Sequence, residues 1–427
     1  MGRDRFHSSG FVYLLLAAIL QLRYVLIHWD AIYLVHLDAS SVKSDLDTPV
    51  SLTTKDNNTV SVAPIEPSFI IRKAKASPTA VYWCGWRDWF TNPYHTNLAQ
   101  GLFPEVQILA EFNKSLKFSS TDLLIHSCGP QCDGVGPDDV ERVFPGKIST
   151  FNGESGPHRW WVRTNKRPRV VPLAAVDNLR GGGSRSKLAR DAVTLAQIVV
   201  SMYPMEWQYK YLFKGRTLEN TGTFFLIYAS RRCVEHRETA FVLLSTIPNA
   251  TAHYANQQCY GLKSPLYHTI QQKNMLRAPL VVDNKHWQNN HVLYKNYRFA
   301  LVMENKYMRG YITEKIVTAF MAGCIPIYYG TMQIFDMFNP RSFIYWNVTH
   351  PETSLAQIRY LESNQTAFQE MLNEPILANG MDTVRELFSL RDQIEGGELK
   401  WRLRSRLGYG PVRHSKQKEL RRGTTER

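Results

Sequence analysis

Unbroken apolar runs of strand length recur along the chain near Val81, Leu123, Ile148, Phe225, Phe299 and Ile325. A run with no polar alternation is the pattern of a strand covered on both faces, as in a parallel sheet. Helical spacing lies between several of them. Ile316, Val317, Phe320 and Met321 follow Thr313, a capping residue type, and precede Gly323, which suits the positive φ of a helix C-terminus. A second helix is expected over Lys187–Met202, and a third from Arg237 through Leu244. Strands alternating with helices predict an α/β chain in two halves, with ligands bound outside the carboxyl ends of the strands.

The ends depart from this pattern. Residues 1–10 form a short basic tail with Arg3 and Arg5. Residues 11–29 are mostly apolar and of spanning length, although Gln21, Arg23 and His28 interrupt them. They read as a signal anchor with the N-terminus in the cytosol; a cleaved signal peptide or an amphipathic helix are the other readings. Residues 30–78 are expected to be a stem, since Asp38–Pro67 is rich in Ser, Thr, Asp and Pro and has no period. Two domains follow, over 79–220 and 221–375. Residues 376–427 then make a C-terminal helix and a basic tail, with disorder expected from Gly408.

The chain of 427 residues is long enough for two domains plus ends, and 44% apolar residues exclude a largely disordered protein. A net charge of +14 invites a nucleic-acid reading, but its placement argues against one. Residues 401–427 carry +7 and residues 158–190 carry +8, leaving the remainder at −1. No zinc-finger, homeodomain or RNA-binding signature accompanies the charge, so no nucleic-acid partner is expected.

Candidate chemistry gathers after the run at Phe299. Glu304 and Asn305 end that strand, Glu314 and Lys315 open the next helix, and both pairs lie at one sheet edge. Two carboxylates, an amide and an ammonium suit a polyhydroxylated, phosphorylated ligand. Arg237 at a helix start adds a guanidinium to free N–H groups and a positive dipole end, which makes an anion site. Gly181-Gly182-Gly183-Ser184 lacks the Lys-Ser/Thr of a phosphate loop, and a basic loop is expected around Asn165–Ser186. Trp83, Trp86 and Trp89 read as packing rather than a sugar platform. Cys128 and Cys132 have no second ligand pair, so they predict a disulfide or two buried thiols rather than zinc.

From Tyr297 to Gly330, Tyr-x-Phe-x-Leu-x-x-Glu-Asn, then Tyr311-x-Thr-Glu-Lys, a helix, and Ala-Gly-x-x-Pro-Ile resembles the signature of the α-1,3-fucosyltransferases of glycosyltransferase family 10. The resemblance implies a GT-B fold, with two Rossmann-like domains facing across a cleft. It implies an inverting enzyme that moves L-fucose from GDP-fucose to a GlcNAc hydroxyl of a glycoprotein glycan in α-1,3 linkage. The acceptor is an N-glycan core or an N-acetyllactosamine. Alternatives are a related transferase with another donor or linkage, and a non-catalytic carbohydrate-binding derivative.

Residue by residue, the resemblance makes Glu154 the general base and Arg237 a contact of the pyrophosphate. Glu304, Asn305, Tyr311, Glu314 and Lys315 complete the donor set. Ser155 and Lys306 depart from the family pattern beside those positions. Cysteines similar to Cys233 and Cys259 occur in relatives and could pair in a lumenal compartment. Five Asn-x-Ser/Thr sites, at Asn57, Asn113, Asn249, Asn347 and Asn364, agree with a single-pass type II protein of the Golgi membrane. The chain's Asp-x-Asp triplet, Asp45-Leu46-Asp47, falls in the stem, so Lys315 and Arg237 are expected to replace a metal ion, with a divalent ion at most stimulatory. Transfer assayed in EDTA should therefore persist; complete loss restored by manganese would refute this.

Overall fold

The structure, a computed structural model, describes residues 77–84, 98–127, 136–151, 169–176, 187–188, 190–214, 222–230, 234–248, 251–256 and 290–410. The chain divides into Met1–Ser68 and Phe69–Arg427, and all the described residues belong to the second unit. The expected tail and anchor, and all of the stem but Ser77 and Pro78, lie outside the described residues. Among the described residues no helix is long and apolar enough to cross a membrane.

Two five-stranded parallel sheets organise this unit. The first comprises β1 (Ala80–Cys84), β2 (Ile108–Glu111), β3 (Leu123–Ser127), β4 (Lys147–Phe151) and β5 (Val170–Pro172), in the order β2-β1-β3-β4-β5. The second comprises β6 (Phe224–Ser230), β7 (Ala252–Asn256), β8 (Tyr297–Leu301), β9 (Ile325–Tyr328) and β10 (Ile344–Tyr345), in the order β10-β9-β8-β6-β7. Counted within its own sheet, each reads 2-1-3-4-5. The order therefore reverses between β1 and β3, and again between β6 and β8, and those crevices are where such sheets bind ligands.

All six expected strands are present, as β1, β3, β4, β6, β8 and β9. Residues of their two faces enter different cores. Val81, Trp83, Leu123 and Ile125 pack on one side of the first sheet, and Ala80, Tyr82, Leu124 and Ile148 on the other. Trp83 is thus a packing residue; Trp86 and Trp89 lie outside the described residues. Cys84 is disulfide-bonded.

Three expectations need correction. The basic loop expected around Asn165–Ser186 contains β5, whose pairing with β4 was not signalled by its three half-buried residues. The helix expected over Lys187–Met202 is only α1 (Leu195–Met202), because Thr194 forms a capping box with Gln197. Val193 instead extends along Ala174, donating to Leu173 O (2.8 Å) and accepting from Ala175 N (2.7 Å). Disorder does not begin at Gly408, since Tyr409 is buried against Phe103. Residues 411–427 lie outside the described residues.

The reason for that last correction is α5 (Glu398–Arg406), which follows α2 (Glu235–Leu244), α3 (Glu314–Met321) and α4 (Glu352–Ser363) in the second half but packs back beside the first sheet. Arg404, 1% exposed, donates from Nη1 to Leu102 O (3.0 Å) and from Nη2 to Ser77 Oγ (3.0 Å) and Glu105 (2.6 Å). Its guanidinium also lies 4.8 Å from the Phe103 and Trp401 rings. Part of the C-terminal basic excess is thus a buried structural tie. Replacing Arg404 with Met should lower stability by about 3 kcal/mol, the scale of a charged hydrogen bond lost from a buried site. Glu105→Gln, at a half-exposed carboxylate and with an amide oxygen still able to accept from Arg404, should cost less, about 1 kcal/mol; urea unfolding of both variants checks the contrast.

Candidate functional site

At the switch point of the second sheet, β6 leads into α2, whose first turn carries His236 and Arg237. On the other side β8 runs on as extended chain, with Val302 N donating to Ile327 O (2.9 Å) and Glu304 N to Tyr329 O (2.7 Å). The sheet ladder therefore fixes Glu304 beside the end of β9. After the loop 305–312, α3 begins, and its apolar residues Ile316, Val317 and Phe320 are buried. That packing sets where Glu314 and Lys315 stand.

Glu304 has no exposed surface. Its Oε1 accepts from the Thr313 backbone N–H (2.7 Å), and the Thr313 hydroxyl lies 2.9 and 3.0 Å from its two oxygens. Lys315 Nζ stands 3.3 Å from Glu304 Oε2, donates to Thr313 Oγ1 (2.8 Å), and is 3.3 Å from Glu314 Oε1. Thr313 does occupy the N-cap position of α3, but its side chain makes no cap bond because its hydroxyl serves Glu304. Gly323, beyond the other end of α3, adopts the expected positive φ of 77°.

Burial pushes the Glu304 carboxyl up, against the pull of Lys315. Burial alone would lower the Lys315 ammonium, but Glu304 and then Glu314 outweigh it and hold it well above the ordinary lysine value. Lys315 is therefore a fixed cation. Arg237 is 4% exposed, and its Nε and Nη2 find no acceptor among the described residues. Its charge acts on both Glu304 and Lys315. A buried guanidinium with unused donors calls for an anion, since leaving such donors unmet is costly.

The loop itself is held from several sides. Asn305 donates to the buried Tyr311 hydroxyl (3.3 Å), and Gly310 N donates to Gln333 Oε1 (2.6 Å). At Gly310 φ is +74°, and a Cβ there would lie 2.6 Å from the Ala175 carbonyl carbon, so only glycine permits the approach. His236 Nε2 lies 2.9 Å from the Glu304 carbonyl oxygen, an acceptor only, so the imidazole donates.

The structure thus brings Glu304, Glu314 and Lys315 into contact, pairs Asn305 with Tyr311, and sets Arg237 in their field. Glu154, Cys233 and Cys259 lie outside the described residues, as do Cys128 and Cys132; β4, the strand that leads to Glu154, ends at Phe151. Thr313 as a link between Lys315 and Glu304, His236, and Gly330 were missed. Thr313 was visible only as a cap, and His236 carried no signal beyond adjoining Arg237. Among the described residues no three His, Cys, Asp or Glu side chains group as a metal site.

An open parallel sheet with a buried guanidinium and a partly exposed ammonium at its switch point is an α/β arrangement suited to an anion. The comparison agrees with the motif's resemblance: residues 261–373 match the model described as "Glycosyltransferase family 10 (fucosyltransferase) C-term". Over 102 residues the chain is 35% identical to "Putative fucosyltransferase R654" of Acanthamoeba polyphaga mimivirus, covering 23% of this chain and 17% of that one. Over 88 residues it is 34% identical to "Alpha-(1,3)-fucosyltransferase FucT" of Helicobacter pylori, covering 20% and 18%. Over 121 residues it is 31% identical to "Alpha-(1,4)-fucosyltransferase" of Arabidopsis thaliana, covering 28% and 29%. The chain therefore spans less than a third of the length of each of these relatives. Arg237 and Glu154 precede the matched family segment.

Gly330 gives a test of how tightly the buried carboxylate is packed. A Cβ there would fall 2.3 Å from the Tyr328 hydroxyl and 3.0 Å from Glu304 Cγ. Gly330→Ala should destabilise the protein by about 1–3 kcal/mol, as overpacking does. Gly101→Ala, on a helix with its nearest neighbour at an ordinary 3.7 Å, should not destabilise. Equal melting temperatures for the two variants would contradict the packing argument.

Proposed function

We propose that this protein is an inverting fucosyltransferase that carries L-fucose from GDP-fucose to a GlcNAc hydroxyl of a glycoprotein glycan, forming an α-1,3 linkage. The observation that carries the reading is the Arg237 guanidinium, with donors unmet among the described residues, and the pinned cation Lys315, at the switch point of a sheet whose strands β8, β9 and β10 lie in the segment that matches the family 10 model. A nucleotide diphosphate leaving from a sugar needs fixed positive charge where its own charge grows. Lys315 and Arg237 supply it in place of a metal ion. Glu314, partly exposed, accepts hydrogen bonds from ribose or fucose hydroxyls, and Glu304 holds the loop rather than touching the donor. The acceptor hydroxyl attacks the anomeric carbon as the diphosphate departs, and its proton passes to Glu154 from the opposite domain of a GT-B cleft.

Secretory placement as a type II Golgi protein fits the disulfide-bonded Cys84 and the exposed Asn113 and Asn347 of two glycosylation triplets. A second reading keeps the donor and changes the linkage, and it is favoured by one observation: relatives named for α-1,3 and for α-1,4 transfer match this chain almost equally well. The full chain incubated with GDP-fucose and a panel of core N-glycans and N-acetyllactosamines, followed by linkage analysis, decides between them. Lys315→Ala should abolish donor binding and transfer. Glu154→Gln should cut turnover by about 100-fold or more while GDP still binds; a retained rate would reassign the base.

A further inference from the structure

His236 is not used by the reading above, yet it stands where the two cationic arms of the site meet. Its Nε2–H bonds the Glu304 carbonyl at 2.9 Å, tying the loop after β8 to the helix that carries Arg237. The ring packs against Tyr329 at 4.9 Å between centroids, on the loop after β9. Three chain segments therefore share one imidazole. Because the carbonyl accepts only, the neutral ring carries its proton on Nε2, and Nδ1 is the position left to titrate. The groups acting on it among the described residues are Arg237 and Glu235 of its own helix, the Glu304 carbonyl, and the Tyr329 ring. Burial, followed by the Arg237 charge, holds the imidazole below its ordinary value against the opposing pull of the Glu304 carbonyl and Glu235, so it is neutral in the empty site.

Resting on the donor reading given above, we propose that His236 is a positioning residue for the donor diphosphate: neutral when the site is empty, it takes up one proton from solvent as the diphosphate binds, and so acts as a third cation beside Arg237 and Lys315. The physical basis is the change of field. Without the diphosphate Arg237, the adjoining residue, has donors unmatched among the described residues and opposes a second cation. A bound diphosphate satisfies that guanidinium and adds negative charge at the N-terminus of α2, a helix of ten residues. Both changes favour the imidazolium. The protonated ring keeps its Nε2–H bond to Glu304, so the loop stays tied through the change. Donor affinity should then rise as pH falls from 8 to 6, by about tenfold for each unit by which the complex raises the imidazole.

Calorimetry with GDP-fucose and no acceptor tests this, because both phosphates of that ligand are esterified and neither titrates near neutrality. Titrations of the full chain at pH 6.5 in two buffers of different ionisation heat give the number of protons taken up. The expected result is a clear fraction of one proton for the wild type and none for His236→Gln, which preserves a donor to the Glu304 carbonyl but cannot ionise. His236→Ala, which removes that bond as well, should weaken binding by about fivefold at pH 8, for a lost neutral hydrogen bond, and by more at pH 6, where the wild type also gains from the imidazolium. Binding by the wild type with no proton uptake would overturn the inference and leave the donor reading standing. Uptake persisting in His236→Gln would overturn it too, by assigning the proton elsewhere. Absence of any GDP-fucose binding by the wild type would overturn the donor reading and this inference with it.

Discussion

A carboxylate with no exposed surface stays in a folded protein only where hydrogen bonds and a counter-charge replace the water it has lost. Glu304 meets that condition with groups from three places. Thr313 supplies its N–H and hydroxyl, Lys315 its ammonium, and the sheet ladder to Tyr329 fixes the backbone from which the side chain departs. These requirements can be met together only when α3 starts where it does, one residue beyond Thr313. The start of α3 in turn places Glu314 and Lys315 side by side, both partly exposed, with the Lys315 ammonium turned onto the two carboxylates. The buried Glu304 carboxylate thus sets the geometry of the exposed part of the site.

The same condition separates two kinds of residue that look alike in a sequence. Glu304 and Glu314 are both acidic residues of the motif at one sheet edge, yet one is sealed and the other is partly open. A fully bonded, fully buried carboxylate has no oxygen left for a ligand that must enter and leave. Its contribution is rigidity, and the partly exposed Glu314 is the carboxylate of the pair that a ligand could reach.

Legibility from sequence followed burial. The six strands that could be read, at Val81, Leu123, Ile148, Phe225, Phe299 and Ile325, are all internal to their sheets and are apolar because both faces are covered. The four that could not, β2, β5, β7 and β10, are the four edges. Edge strands are short and half-solvated: Ile108–Glu111 and Val170–Pro172 hold apolar residues, but each is only three or four residues long and none of those residues is fully buried. The donor motif was legible as residue types at a spacing. What joins them was not, because hydrogen bonds such as Lys315 to Thr313 or His236 to Glu304 depend on where side chains point. The helix start at Leu195 shows the same limit: Thr194 and Gln197 form a capping box readable in principle, but the buried Leu188 and Ala192 upstream made the apolar pattern look continuous.

Charge balance explains why the site is organised for an anion rather than already satisfied. Lys315 is matched by Glu304 and Glu314 at close range, whereas Arg237, which is more deeply buried, has two nitrogens with no acceptor among the described residues. If the carboxylates alone had to stabilise the guanidinium, Glu304 would be the natural partner, but Thr313 and Lys315 already occupy it. With Glu304 bonded to Thr313 and Lys315, the Arg237 Nε and Nη2 remain without an acceptor among the described residues. In the proposed function an incoming diphosphate would fill the unmet donors of Arg237 and meet an ammonium that Thr313 and two carboxylates hold in place. Preorganisation of this kind places the cost of desolvating Lys315 in folding rather than in binding.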